Sequence, residues 1–125
     1  MENTPVLDLS EALRRAMGDA QFLKMMLDEF QALIPDFITR IENACQEPDM
    51  ASMGKDAHQL KGAAANLSAK TLAEAALKLE QIGKSGNPEG CEQALEELKQ
   101  AAENFSRQII RIDWAGMTSE SPAQG

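Results

Sequence analysis

Apolar residues recur every three to four positions along most of this chain, and no stretch alternates with the period of two that marks a half-buried strand. The longest stripe is Leu23, Leu27, Phe30, Ile34, Phe37 or Ile38, Ile41 and Cys45. It predicts a helix from about Ala20 to Cys45 with one buried face. Pro35 lies inside it, lacks the N–H for a helical bond, and should kink or split the helix. Met53, Ala57, Leu60, Ala64 and Leu67 predict a helix from about Met50 to Leu67. Leu72, Ala76, Leu79 and Ile82 predict another from about Lys70 to Lys84. Ala94 or Leu95, Leu98, Ala102, Phe105, Ile109 and Ile112 form the stripe of a last one.

Polar punctuation supports these bounds. Asp8-Leu9-Ser10-Glu11 reads as a capping box that opens a short helix through about Met17. Gly18 can end that helix and Asp19 can cap the next. Pro48 and Asp49 mark the following turn and cap. Gly83 to Gly90 is the clearest loop, in which Asn87 as cap and Pro88 in the first turn should start the last helix. The pattern predicts an all-α fold. It is an antiparallel up-down four-helix bundle with an additional short N-terminal helix covering one end. One domain is expected over residues 1–114, followed by a small, polar and disordered tail over 115–125.

Composition adds exclusions. Lys plus Arg is 12 and Asp plus Glu is 20, a formal charge of −8. That balance argues against a nucleic acid or an anionic membrane as partner. No apolar run approaches the length of a membrane span, and Met1 to Asp8 lacks the apolar segment of a signal peptide, so a cytoplasmic protein is expected. Cys45 and Cys91 form neither a CxxC nor a cysteine–histidine cluster, and read as buried or half-buried free thiols in a reducing compartment. One histidine without clustered thiols cannot build a metal site, and no cofactor is expected in this chain.

That histidine carries the candidate chemistry. His58 stands in Ala57-His58-Gln59-Leu60-Lys61-Gly62-Ala63-Ala64-Ala65, one residue off the buried stripe. Positions i, i+3 and i+4 share a helix face, so an imidazole, a mobile cation (Lys61) and a bare patch (Gly62) lie together. An imidazole, with an ordinary pKa of about 6.5, is a competent nucleophile near neutral pH. Lys61 can balance the charge of a phosphoryl group; as a lone lysine it would simply be solvated. Gly54 and Gly62 bracket His58 one turn away on either side. A mid-helix glycine costs about 1 kcal/mol relative to alanine. Two of them, with Ala63, Ala64 and Ala65 following, suggest a flat surface where another protein comes close. Gly62 could instead serve close helix packing. Helical side chains lean toward the N-terminus, which puts the imidazole over the turn containing Gly54. Glu80, on the next helix, either hydrogen-bonds near the imidazole or is solvated. Gln59, Ala65, Gly54 and Glu80 make up the secondary candidates. Met25, Met26, Met50 and Met53 are core filler or an adaptable docking surface.

Taken together these residues resemble the histidine-containing phosphotransfer (HPt) domains of bacterial phosphorelays. The resemblance runs from about Val6 to Ile112. It rests on the Asp8-Leu9 opening, Gly18-Asp19 before a helix with an apolar run near Phe30, and Asp49 nine residues before the histidine. It rests also on Ala57-His58-x-Leu60-Lys61-Gly62 and on Leu79-Glu80 of the following helix. The resemblance implies a bundle whose exposed His58 accepts a phosphoryl group from a receiver-domain aspartate and passes it to, or back to, another. It implies response-regulator receiver domains as partners, together with a hybrid sensor histidine kinase, and places the divalent metal in the partner receiver. A monomer is expected. No Gly-rich nucleotide loop is visible, so no autokinase activity is expected. The alternative is an unphosphorylated helical module that binds a receiver or kinase as adaptor or inhibitor. One departure stands out. The family usually has a glycine ten residues after the histidine, and here the residue is Ser68. Either the helix ends differently, or Ser68 adopts a left-handed conformation that costs a non-glycine residue roughly 1 kcal/mol.

Overall fold

The computed structural model describes residues 6–116. The chain forms α1 (Leu9–Arg15), α2 (Ala20–Gln46), α3 (Met50–Asn66), α4 (Lys70–Ser85) and α5 (Cys91–Arg111). One helical turn follows at 114–116, and there is no strand among the described residues. Helices α2 to α5 make the antiparallel up-down bundle that the periodicity predicts, each packing on the next and α5 closing against α2. Side-chain pairs mark the seams. Arg40 of α2 meets Asp56 of α3, Lys78 of α4 reaches Glu97 of α5 at 2.7 Å, and Gln31 of α2 bonds Ser106 of α5 at 2.8 Å.

The core is built from the predicted stripes. Leu23, Leu27, Phe30, Ile34 and Ile41 face Met53, Ala57, Leu60 and Ala64, with Leu72, Ala76, Leu79, Leu98 and Phe105 completing it. Phe30 and Phe105 meet edge to face with centroids 5.6 Å apart, the arrangement aromatic quadrupoles favour. Phe37 and Ile38 are half-buried at its rim. Met53 is wholly buried in the core; Met50 is buried too but borders the depression beside His58; Met26 is half-buried, and of the four only Met25 is exposed.

Asp8, Asp19 and Asp49 cap α1, α2 and α3, accepting from the N–H groups of Glu11 (3.1 Å), Phe22 (3.0 Å) and Ser52 (3.2 Å). Only half of the expected capping box forms, because the Glu11 carboxylate turns away to Ser68 and Lys70. Helix α1 covers the bundle end at the α3–α4 turn, where the Asp8 N–H donates to the Ser68 carbonyl at 2.9 Å.

Of the two outcomes expected at Pro35, a kink or a split, the split does not occur: α2 runs unbroken for 27 residues. The proline removes one bond of the ladder, while the stripe on both sides of it stays packed and holds the helix. Asn87 does not cap α5. Its side-chain oxygen accepts from the Glu89 N–H at 3.0 Å in a local turn, and the helix starts at Cys91 behind Gly90. Gly90 has φ +82°, a backbone only glycine adopts freely, so no capping side chain stands there. Cys45 and Cys91 are not free thiols but a disulfide. The bundle brings the end of α2 beside the start of α5, with a Cα–Cα distance of 6.2 Å, although 46 residues separate the two in sequence. Residues 115 and 116, assigned to the tail, belong to the final helical turn; residues 117–125 lie outside the described residues. Among the described residues no helix is long and apolar enough to cross a membrane.

Candidate functional site

The site begins with two glycines. A Cβ on Gly54 would lie 3.4 Å from the Gly83 Cα. A Cβ on Gly83 would lie 2.5 Å from the Gly54 Cα and 2.9 Å from the Met50 carbonyl oxygen. Helices α3 and α4 therefore touch backbone to backbone. Gly54 serves this close approach, a purpose the sequence reading did not give it. Gly83, read there as the first residue of a loop, is buried in the last turns of α4.

The contact carries Glu80, one turn before Gly83, against His58. Glu80 is not solvated; its side chain is 5% exposed, while the His58 imidazole is 65% exposed. His58 Nδ1 and Glu80 Oε2 are 2.8 Å apart. Lys61 Nζ lies 2.7 Å from the other oxygen, Oε1, and Lys84 Nζ lies 3.5 Å from Oε2. Lys61 is thus the cation held directly against Oε1. The Lys61 ammonium holds the Glu80 carboxyl down to a pKa of about 2, helped by the His58 bond and by Lys84, against burial, which pushes the other way.

An ionised carboxylate only accepts hydrogen bonds. Nδ1 must therefore be the protonated nitrogen of the neutral ring, and Nε2 carries the lone pair. The arrangement fixes the tautomer, orients the ring, and places an anion behind any positive charge that develops on it. Lys61, read from sequence as a mobile cation, is 31% exposed and anchored on Glu80. Lys84 was missed: it lies 26 residues from His58, at the end of a helix, with no local motif to mark it.

Beside the imidazole is an open depression of about 410 Å³, floored by Ala51, Gly54 and Gly83 and flanked by Lys55 and Lys84. On the other side of His58, Gly62 is exposed and a Cβ there would meet nothing within 4 Å. Gln59 and Ala65 are exposed on the same helix. Gly62 thus stands clear of helix packing. Among the described residues no group of three or more His, Cys, Asp or Glu could hold a metal ion.

Ser68, where a glycine was expected, takes the left-handed conformation itself, with φ +60°. Its hydroxyl donates to Glu11 Oε1 at 2.7 Å, and its side chain is buried. The bond from Ser68, with Lys70 behind it, holds the Glu11 carboxyl below its ordinary range. A hydroxyl-to-carboxylate bond, which glycine cannot make, accompanies the backbone strain and ties α1 to the end of α3.

Comparison with known proteins agrees with this geometry. The structure is similar to the crystal structure of the HPt domain from a sensor hybrid histidine kinase of Shewanella. The TM-score is 0.69 and the identity 19%, with 86% of this chain and 97% of that chain covered. No curated protein sequence matches the chain. A family model for the Hpt domain matches residues 25–108, which include α3, α4 and most of α2 and α5. With the bundle, the exposed imidazole and two thirds of the sequence inside that match, the chain belongs to the Hpt domain family of histidine phosphotransfer proteins.

Proposed function

We propose that His58 is the phosphoryl acceptor of this phosphorelay domain. The observation that carries the proposal is the exposed imidazole whose Nδ1 is bonded at 2.8 Å to a buried, ionised Glu80. The Nε2 lone pair attacks the phosphorus of a receiver aspartyl phosphate. The P–N bond forms as the P–O bond to the aspartate breaks, and the carboxylate leaves. The ring gains positive charge, which Glu80 balances through Nδ1–H. Transfer to a second receiver aspartate, or back to the first, runs the same steps in reverse. Positioning and charge stabilisation do most of the work in such transfers. Lys61 and Lys84, a side chain's length away, supply positive charge near the phosphoryl oxygens. Gly62, Gln59 and Ala65 leave the approach open.

The partners are phosphorelay components, receiver domains and histidine kinases, as the family implies. The finer reading is a cytoplasmic monomer that contacts neither nucleic acid nor membrane and holds no cofactor, the divalent metal residing in the receiver. The test is incubation with a panel of phosphorylated receivers. Acid-labile, base-stable label should appear on the chain and be absent from His58→Gln. Label on His58→Gln would refute the assignment. Tight receiver binding with no label on the wild type would favour the adaptor or inhibitor reading.

A further inference from the structure

At the end of the bundle nearest the start of α3, the disulfide closes a loop over residues 46–90. That loop holds all of α3 and α4, and so His58 and Glu80. Met53 of α3 is wedged against the link, its Sδ 3.1 Å from Cys91 Sγ and 3.6 Å from Cys45 Sγ. The two half-cystines differ in access. Cys91 is 3% exposed. Cys45 is half-buried and lines a depression of about 200 Å³ whose other walls include Glu42, Glu92, Glu96 and Lys99. Three carboxylates stand there against one ammonium, and that ammonium is already paired with Glu42 at 3.3 Å and Glu96 at 3.8 Å.

We propose that Cys45 is a thiol-exchange site that admits uncharged or cationic thiols and repels anionic ones, and that opening it releases the loop carrying α3 and α4. A reductant thiolate attacks Cys45 Sγ. The new S–S bond forms to Cys45, the Cys45–Cys91 bond breaks, and Cys91 leaves as a thiolate that takes up a proton. The second thiol of a dithiol reductant then displaces Cys45, leaving two protein thiols and an oxidised reductant, with two electrons and two protons transferred. The acidic mouth disfavours an attacking group that brings further negative charge. Once open, the link no longer restricts the unfolded chain, so the domain loses the stabilisation of a long closed loop. The link encloses the two helices that carry His58 and Glu80. The inference concerns unphosphorylated protein and does not depend on His58 being the acceptor.

The test uses the full oxidised chain. Glutathione (anionic), 2-mercaptoethanol (uncharged) and cysteamine (cationic) are compared at equal thiolate concentration, with trapped mixed disulfides mapped by mass spectrometry. The mixed disulfide should fall on Cys45. Rates should rise from anionic to cationic by roughly threefold or more per step, and the spread should shrink in about 0.5 M salt or in Glu92→Gln/Glu96→Gln. The fully reduced, alkylated protein should melt about 10 °C or more below the oxidised form. Cys45→Ser/Cys91→Ser, if it folds, should melt at the lower temperature with or without reductant. Equal rates for the three thiols, a mixed disulfide on Cys91, or a melting temperature unmoved by reduction would each overturn the proposal.

Discussion

Alanine in place of glycine should act with opposite signs at two positions of the α3–α4 hairpin. At Gly83 the new Cβ would fall 2.5 Å from the Gly54 Cα, whereas ordinary contact begins near 3.4 Å. The obstacle is backbone, so no side chain can swing aside and the helices must separate by about 0.9 Å, the difference of those two distances. Overpacking of this kind costs up to about 3 kcal/mol. Helix propensity returns about 1 kcal/mol. The net loss of about 2 kcal/mol lowers the melting temperature by roughly 6–10 °C for a domain of this size. If α4 moves as a unit, the 2.8 Å His58–Glu80 bond stretches to about 3.7 Å, beyond hydrogen-bond range, and phosphotransfer slows as well. At Gly62 the Cβ meets nothing within 4 Å. Gly62→Ala should gain up to about 1 kcal/mol, or roughly 3–5 °C. Calorimetric melts of the two variants, with transfer measured from one phospho-receiver, separate the cases. A Gly83→Ala protein as stable as the wild type, with its transfer rate intact, would refute the backbone-contact account.

Further outcomes follow from the site and from the turn at Ser68. Gly62→Gln should fold with near-normal stability yet block label transfer; a strongly destabilised protein would mean the glycine serves packing. Glu80→Gln should slow transfer by roughly tenfold or more, because the amide can orient Nδ1 but supplies no charge. The same variant should lose an acid dependence. The folded pKa of Glu80 is depressed from 4.5 to about 2, so its stabilisation is full above 4.5 and fades as pH falls toward 2. Wild type and Glu80→Gln should therefore differ in slope across that window in acid-denaturation curves. Lys61→Ala should move the Glu80 carboxyl resonance to a higher titration midpoint, since Lys61 is the main cause of the shift, and should slow transfer. Ser68→Gly should stand about 1 kcal/mol above Ser68→Ala in chemical unfolding, because both lose the hydroxyl but only alanine keeps the left-handed strain.

Periodicity carried the fold, because a helix that buries one face repeats its apolar residues every three to four positions. Leu23 to Ile41 and Met53 to Ala64 are core positions readable from spacing alone. His58 was legible for the same reason: it falls beside the stripe, and its neighbours three and four residues on share its face. What lay between helices was hidden. Glu80 and His58 are 22 residues apart, and nothing local distinguishes a buried carboxylate from a solvated one. Gly83 looked like the start of a loop, because a glycine that lets two backbones touch has the same letter as one that ends a helix. The Cys45–Cys91 link depends on the register of α2 against α5, which spacing within each helix does not report. Ser68 was flagged by comparison with a motif, but its partner, Glu11, lies 57 residues upstream on another helix.

The bond between Nδ1 and Glu80 also decides regiochemistry. Imidazole can be phosphorylated on either nitrogen, and the two phosphoimidazoles are distinct compounds with different hydrolytic lifetimes. Here one nitrogen is engaged with a buried carboxylate at 2.8 Å, so under the proposed acceptor role the expected product is the isomer phosphorylated on Nε2. That product keeps an N–H on the unsubstituted nitrogen, still facing its anion. The carboxylate that prepares the ring for attack therefore also sits against the phosphorylated ring, and so bears on how long a signal is stored there before a receiver collects it.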